Sequence, residues 1–476
     1  MVTWDSPEDP ANPRNWPIGR KWRQVVMVSM FTLMSPIVSS MLTPALPAIS
    51  STLHMAPGFQ SNLSFSIFVL AYAVGPFFLA PLSEILGRQI ILQCANMFFL
   101  IFNIACSQAR TSTQLVVFRF LTGLGGSAPL AVGGGTIGDL FTPDQRGMAM
   151  GMYTLAPLVG PALGPIAGGF IAENTSWRWV FYSSSIADGV VQLFGFFLLK
   201  ETYAPKILAD KAKRLRKETG NDKLRTQWER PDRTMLSVVA HGLVRALKLF
   251  VTEPIIQVVA CYMAVIYGLM YLLLAAFAPL WTKEYGESVG ISGLNYLSLA
   301  IGLTIGGQVG SRILDRTYAS QKQRTGGVGT PEMRMPFVMA TSFFIPVGLL
   351  IYGWSAEHHV FWLVPNIGVG IFCVGGIAAM LALQTYIVDN YGLLAASALA
   401  GASGFRSLAG FGFPLFASAM FDKLGNGWGC SVLALVALVF IPAPFLFYRF
   451  GPWLRKRSRN ASVPPSPIPQ APGAKN

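Results

Sequence analysis

Twelve long apolar runs interrupt this chain and restrict it to one class of structure. Each is long enough to cross the roughly 30 Å hydrocarbon core of a bilayer as a helix. Charged residues make up only 12% of the chain, about half of what a soluble protein carries, and they collect between the runs. The sequence predicts an all-α membrane protein with transmembrane helices at 22–46, 62–82, 90–108, 113–138, 147–171, 178–199, 254–281, 291–314, 336–354, 360–386, 394–421 and 428–450.

The distribution of Lys and Arg predicts the orientation of these helices. With the N-terminus inside, all but six of the 36 Lys and Arg residues lie in or beside cytoplasmic segments. Positive residues are retained on that side of membranes. We therefore expect a multi-pass protein with both termini cytoplasmic and its basic loops in contact with anionic lipid. The exceptions are Arg110, Arg178, Lys283 and Lys423 in external loops and Arg119 and Arg406 within spans.

Composition and missing motifs exclude several other functions. The net charge of +14 follows from topology, so no nucleic acid partner is predicted. The five cysteines lie singly in or beside spans, without metal-ligand or disulfide spacing. No phosphate-binding loop, dinucleotide fingerprint or catalytic triad is visible, so we expect neither an enzyme nor a bound cofactor.

A polar segment divides the spans into six and six. We predict two pseudo-symmetric six-helix bundles, at 22–199 and 253–450, joined by a cytoplasmic linker at 200–252 that contains an amphipathic helix. Residues 1–21 form a cytoplasmic N-terminal segment, and the Pro-rich residues 451–476 form a disordered cytoplasmic tail. A weak echo between "APLSEILGR" (80–88) and "GSRILDR" (310–316), after the second and eighth spans, fits an internal repeat.

The fifth span is rich in residues that disfavour helices. Gly160, Gly164 and Gly168 recur every four residues and so form one stripe, and prolines at 157, 161 and 165 form another beside it. Glycine stripes let helices approach closely in lipid, and prolines bend them. The eighth span has a matching stripe, and we predict that the two stripes pack face to face across the two halves. Its residues are Gly302, Gly306 and Gly310.

The chain resembles the twelve-span fungal drug:proton antiporters (DHA1 type) of the major facilitator superfamily. "LVVFRFLTGLGGS" (115–127) is similar to the family's fourth-helix motif, and "SWRWVFY", "ETYAP" and "WDSPEDPANPRNW" are typical of the fungal branch. "LSEILGR" (82–88) is similar to the loop signature after the second helix, although Ala80, Ile85 and Gln89 depart from it. The fifth span matches the family's antiporter motif at Gly151, Gly160, Gly164, Pro165, Gly168 and Gly169.

The resemblance implies a conformational gate at the cytoplasmic end of the second and fourth spans. Glu84, Gly87 and Arg88 stand at the loop signature, and Asp139 ends the fourth span. In the family this acid–base set holds the outward-facing state closed on the inside. The alternative is a set of interfacial charges that only fix topology.

Ionisable residues inside the hydrocarbon are costly and usually functional. Away from span ends there are three. Asp188 is the only deeply placed acid, and we predict that it binds the transported proton beside Arg119, the family's fourth-helix Arg. The alternative for Asp188 is a permanent buried pair with an Arg. Arg406 either faces the cavity or has a structural partner.

Aromatic and amide residues within the spans are candidates for a mostly apolar substrate cavity. We expect about half of them to face it, together with Arg406. The candidates are Tyr72, Tyr153, Tyr267, Tyr271, Asn295, Asn366 and Gln384.

With the resemblance, these residues predict a monomeric secondary transporter driven by the proton gradient. It would export a small organic compound (a drug, fungicide, secondary metabolite or organic acid) across the fungal plasma membrane by alternating access. Two embedded arginines against one acid favour neutral or anionic substrates. The alternatives are a proton symporter or facilitator that imports a nutrient, a membrane sensor without transport, and a vacuolar location.

Overall fold

The structure is a computed structural model that describes residues 1–56, 58–142, 145–228, 235–325 and 329–458. Helices account for most of this part of the chain. They are α1 (Ile18–Ser40), α2 (Leu46–Thr52), α3 (Phe59–Leu86), α4 (Arg88–Ser107), α5 (Ser112–Leu140), α6 (Arg146–Asn174), α7 (Arg178–Leu198), α8 (Ala204–Thr219), α9 (Met235–Thr252), α10 (Pro254–Lys283), α11 (Val289–Leu294), α12 (Leu297–Thr304), α13 (Gly310–Arg324), α14 (Met335–Ser342), α15 (Phe344–Glu357), α16 (Leu363–Tyr391), α17 (Ala395–Gly412), α18 (Pro414–Phe440) and α19 (Pro442–Arg457).

Eleven helical segments in the described residues are long and apolar enough to cross a membrane. One of them, Pro414–Arg457, is 44 residues long and is interrupted at Gly425, whose φ of 72° is not helical. Positive φ is a conformation that glycine adopts without strain, so the chain turns back there. The helix α17 and the start of α18 form the predicted eleventh span, and the rest of α18 with α19 forms the twelfth. The predicted all-α fold with twelve spans is confirmed.

The eighth predicted span is the least regular. It consists of α11, α12 and α13 in succession, with a π-helical turn at Ile305–Val309 between the last two. π-Turns of this kind are frequent at functional sites. At the other end of the chain, α19 continues past the predicted boundary at residue 450, because buried Arg455 pairs with buried Glu332 at 3.4 Å. The remainder of the predicted tail, 459–476, lies outside the described residues.

The two halves repeat the same helix packing. In the first half α1 packs on α6, α3 and α4 on α5, and α4 on α7; in the second half α10 packs on α17, α12 and α15 on α16, and α15 on α18. The halves meet where α3 packs on α17 and where α6 packs on α11 and α12. These two contacts are themselves equivalent under the repeat, so the predicted pseudo-symmetry of the bundles is present in the fold.

The linker helices α8 and α9 mark one end of the bundle, here called the linker end; the opposite end is called the far end. Gly242 of α9 lies against Pro81 of α3, and Phe250 of α9 stacks against Phe405 of α17 with ring centroids 5.2 Å apart. The predicted linker at 200–252 therefore contains two helices, and α9 contacts both halves.

The N-terminal segment is folded against the linker. The Val2 amide donates to the backbone oxygen of Arg225 at 2.9 Å, and Lys211 of α8 pairs with Asp5 at 2.6 Å and Asp9 at 3.9 Å. Amide hydrogen bonds from Asp5 and Ala11 lower the pKa of Asp9. The helix α8 directly follows residues 201–203, where the chain leaves the first half. The ion pairs of Lys211 with Asp5 and Asp9 therefore fix the start of the linker against the N-terminal segment.

Candidate functional site

A cavity of about 540 Å³ lies between the two halves. Its lining comes from α1, α3, α5 and α6 of the first half and from α10, α12, the π-turn, α16 and α17 of the second. Except for Pro36 of α1, the lining residues of the long helices lie from the middle toward the linker end, as with Tyr72, Pro76 and Ala80 on α3. The cavity therefore extends toward the linker end of the molecule.

Six of the predicted cavity residues line this space. Four are tyrosines whose rings give the cavity an aromatic wall, and the others are one amide and one guanidinium side chain. They are Tyr72, Tyr153, Tyr267, Tyr271, Gln384 and Arg406.

The predicted cavity residues Asn295 and Asn366 are not among the lining residues. The Asn366 amide donates to Asn295 Oδ1 at 2.6 Å, and Asn295 Nδ2 donates to Glu287 at 2.7 Å. Burial raises the pKa of Glu287, and the Asn295 hydrogen bond opposes that shift. Buried amides are usually hydrogen-bonded, and these bonds connect α16 to the residue between α11 and α12 and, through it, to Glu287. Their role is to join helices near the far end.

Arg406 carries the only formal charge among the described residues that line the cavity. Its guanidinium carbon lies 4.8 Å from the ring centroid of Tyr267, and Nη1 lies 3.2 Å from the sulfur of Met380. Its Nε is buried and has no hydrogen-bond partner in the described structure. The other polar lining groups are neutral hydroxyls and amides, among them Ser127, Thr154, Gln308, Ser403 and Ser407.

At the far end, hydrogen bonds join the two halves. The Glu173 carboxylate of α6 accepts from the Gly290 amide at 2.6 Å and from the Ser288 hydroxyl at 3.2 Å. Asn62 of α3 donates to Ser418 of α18 at 3.0 Å. Backbones also approach closely here: a Cβ added at Gly169 would lie 2.7 Å from the backbone oxygen of Val289. The far end of the cavity is closed by these contacts.

Arg88 and Asp139, two residues of the predicted gate, are in contact at the linker end of the first half. Arg88 Nε lies 3.4 Å from Asp139 Oδ2, and Arg88 Nη1 donates to Ser83 at 2.6 Å. Gly87 has φ +103°, and a Cβ there would lie 2.2 Å from the carboxylate of Glu201. This position therefore requires glycine for both its conformation and its space.

The acid that joins Asp139 at this gate is Glu201, which the sequence did not indicate. Its carboxylate accepts from the backbone amides of Arg88 at 3.0 Å and Gln89 at 3.2 Å. Glu84, predicted as part of the set, is exposed and has no partner in the described residues. In this conformation Glu201 of the linker, and not Glu84, is the second acid that contacts Arg88. The resemblance of "ETYAP" to the fungal branch was the only signal available in the sequence.

The two glycine stripes do not face each other, which corrects the prediction for Gly302, Gly306 and Gly310. In the fifth span, Cβ atoms added at Gly160, Gly164 and Gly168 would lie 2.2 to 2.7 Å from atoms of α1 or of Met41, which directly follows it. In the eighth span, Cβ atoms at Gly302 and Gly306 would lie 2.5 to 2.6 Å from atoms of α16, and one at Gly310 would lie 3.2 Å from Ala378 of α16. Each stripe serves packing within its own half.

The fifth and eighth spans do pack together, but through other residues. Gly293 of α11 lies against the backbone of Pro165 and Ile166, and Gly307 of the π-turn lies against Leu158. The remaining glycine of the antiporter motif, Gly151, has open space around its Cα.

Asp188 is completely buried between α7 and α4. Its carboxylate accepts hydrogen bonds from the Asn96 amide at 3.1 and 3.2 Å, and Asn96 also donates to Gln192 at 2.9 Å. It is not among the cavity-lining residues. Since no hydrogen bond or ion pair joins it to Arg119 in the described structure, the expectation that these two lie side by side is wrong.

Arg119 is completely buried and binds backbone carbonyl groups. It donates to Val38 and Ser39 at 2.9 Å each and to Ser64 at 3.3 Å, and it lies 4.6 Å from the ring centroid of Phe68. The last carbonyls of a helix lack partners within it, and a cation is favourable at that end. Arg119 of α5 therefore caps the C-terminus of α1 and ties it to α3.

Two six-helix halves around a central cavity, with helix contacts that repeat between them, define a membrane transporter. Residues 28–414 match the Major Facilitator Superfamily, and the chain belongs to this family. It is 49% identical to efflux pump vrtL of Penicillium aethiopicum, over 97% of this chain and 92% of that protein. It is 40% identical to efflux pump radE of Floropilus chiversii, over 96% of this chain and 85% of that protein.

Solved structures give the same fold. The xylose transporter XylE from E. coli, in a partially occluded inward open conformation, aligns with a TM-score of 0.64 at 14% identity, covering 91% of this chain and 98% of that chain. At this identity the likeness concerns the fold alone.

Proposed function

We propose that this protein is a proton-coupled antiporter that exports a small organic compound, neutral or anionic, by alternating access. The observation that carries the proposal is the cavity between the halves, which has an aromatic wall and one cation and extends toward the linker end. The relatives named efflux pumps support export as the direction. The fifth-span motif, which the sequence shares with antiporters, supports exchange against protons.

The orientation that fits export follows from the charge distribution. With the basic loops in the cytoplasm, the linker end is cytoplasmic and the far end external. The conformation described here, closed at the external end, is then the state that takes up its substrate from the cytoplasm. We assign it to the plasma membrane of a fungal cell, as a monomer that uses the proton gradient and no cofactor.

For the proton, the candidates remain Asp188 and Arg119, because both are fully buried ionisable groups in membrane spans. Asp188 has only amide partners, and it connects α7 to α4. Arg119 connects three helices of the same half. A change in protonation at Asp188 would alter the packing of α4, whose first residue is the gate residue Arg88.

The proposal is tested by substrate accumulation in a transporter-deficient yeast strain. Cells that express the protein receive labelled neutral, anionic and cationic aromatic compounds, with and without a protonophore. Export predicts that expression lowers the accumulation of at least one neutral or anionic compound, and that the protonophore removes the difference. Higher accumulation on expression would show import and would overturn the proposed direction.

A further inference from the structure

Arg406 lies in the cavity wall with part of its hydrogen-bonding capacity unused. A guanidinium group has five N–H donors in a fixed plane. In the described structure, Nε has no acceptor, and Nη1 faces the thioether sulfur of Met380 at 3.2 Å, a weak acceptor. A stronger acceptor in the cavity would replace the weak contact between Nη1 and the Met380 sulfur.

The charge of Arg406 is not balanced within the cavity. The lining contributed by the described residues contains no carboxylate, and the neutral polar groups that accompany Arg406 are hydroxyls and the two amides of Gln308 and Gln384. A cation in a mostly apolar cavity attracts an anion more strongly than it would in bulk water. The cavity is thus complementary to a ligand with one negative charge.

Several aromatic rings lie in the cavity wall near the Arg406 guanidinium. The face of Tyr267 lies under the guanidinium, and its ring centroid lies 4.8 Å from that of Tyr271. Tyr72 and Phe372 complete an aromatic surface on the two sides of the cavity. Flat apolar ligands stack favourably on such rings. A planar guanidinium binds oxyanions through two parallel hydrogen bonds, which fixes the ligand's direction.

We propose that the cavity binds aromatic acids, with the ionised oxygen group on the guanidinium of Arg406 and the rings on Tyr267 and Tyr271. This assignment rests on the proposed function and names the substrate class of the same site. Arg406 is the residue that determines charge specificity. The Met380 sulfur marks the position that the ligand's oxygen takes.

The test is equilibrium binding to the purified full-length protein in lipid nanodiscs, without any proton gradient. The probes are 1-naphthoate and 1-naphthamide, which have the same rings and nearly the same shape and differ in charge. We expect the wild-type protein to bind the naphthoate about tenfold or more tightly than the naphthamide, as a charge-assisted hydrogen bond provides. In Arg406→Gln this preference should fall to within about twofold, while naphthamide affinity is unchanged.

Two further variants separate specific binding from structural effects. Arg406→Lys keeps the charge but not the planar fork, so it should retain only part of the preference. Leu408→Ala, on the same helix but exposed and outside the cavity lining, should leave the preference intact. Each variant must elute as a single folded species with a melting temperature near that of the wild type.

Equal affinities in the wild-type protein, a preference that survives in Arg406→Gln, or no binding of either probe at millimolar concentration would each overturn the assignment. The proposed function fails separately, because binding is measured without transport. If the preference depends on Arg406 but the protein moves no substrate, the proposed binding site is supported and the proposed transport is refuted.

Discussion

The Nε atom of Arg334 lies 2.6 Å from Oδ2 of Asp389. Arg334 stands at the start of α14 and Asp389 near the end of α16, which are the places that Arg88 and Asp139 occupy at the start of α4 and the end of α5 in the first half. The internal repeat therefore extends from helix packing to individual ion pairs. Each half has an acid–base contact at its linker end.

Asp389→Asn tests whether the second pair holds its helices together. Both side chains are mostly buried, and losing the charged partner should lower stability by about 1–2 kcal/mol. The measurement is thermal unfolding in detergent. Asp315→Asn is the matched control, because Asp315 lies 3.7 Å from the same Arg334 but is largely exposed. If both variants unfold like the wild type, the pair has no structural role.

Gly164→Ala tests the correction to the glycine stripe. A Cβ at this position would lie 2.4 Å from the backbone oxygen of Ile37 and equally close to the Ser40 hydroxyl, so α1 and α6 must separate. We expect a loss of about 1–3 kcal/mol in stability, as for other overpacked sites. Gly151→Ala, in the same motif but with open space around it, should be neutral. The reverse order of the two variants would contradict the packing described here.

Glu201→Gln tests the contact that this linker residue makes with the start of α4, at the predicted gate. The change removes a charged acceptor from the amides of Arg88 and Gln89, and stability should fall by about 1–3 kcal/mol. Glu84→Gln is the control, because Glu84 is exposed and should tolerate the change. A destabilised Glu84→Gln with an unaffected Glu201→Gln would return the gate to the residues predicted from the sequence.

The N-terminal segment should release from the linker at low pH. Amide hydrogen bonds hold the pKa of Asp9 below its ordinary 3.8, so the folded segment favours the ionised form. The stabilisation is therefore present above pH 3.8 and is lost as the pH falls through the lowered pKa. Hydrogen exchange of residues 1–16 in detergent should show protection at pH 5 that falls as the pH is lowered below 3.8. In Asp9→Asn, protection that falls as steeply as in the wild type would show that Asp9 does not hold the segment.

The helices and much of the cavity could be predicted because they depend on local patterns. Hydrophobic runs predict the spans, and aromatic residues at mid-span, such as Tyr72 and Tyr267, line the cavity as predicted. Arg88 and Asp139 were paired correctly because both stand at span ends on one side of the membrane.

Other features depend on contacts that no local pattern specifies. Glu201 reaches Arg88 across 113 positions of sequence. A stripe such as Gly302 to Gly310 permits close packing but does not name the partner helix. Asn366 donates a hydrogen bond to Asn295, and a sequence cannot distinguish such a pair from one that faces a ligand. The sequence pattern also did not predict the π-turn at Ile305–Val309.

The central claim is exchange of a substrate against protons, and simultaneous recording of both fluxes tests it most directly. Purified protein in liposomes, with a pH dye inside and an imposed proton gradient, receives the compounds whose accumulation it lowers in cells. The account predicts proton flux that appears only with these compounds, runs opposite to substrate movement, and is lost in Asp188→Asn while that variant remains folded. Substrate movement without proton flux, or both fluxes in the same direction, would contradict it.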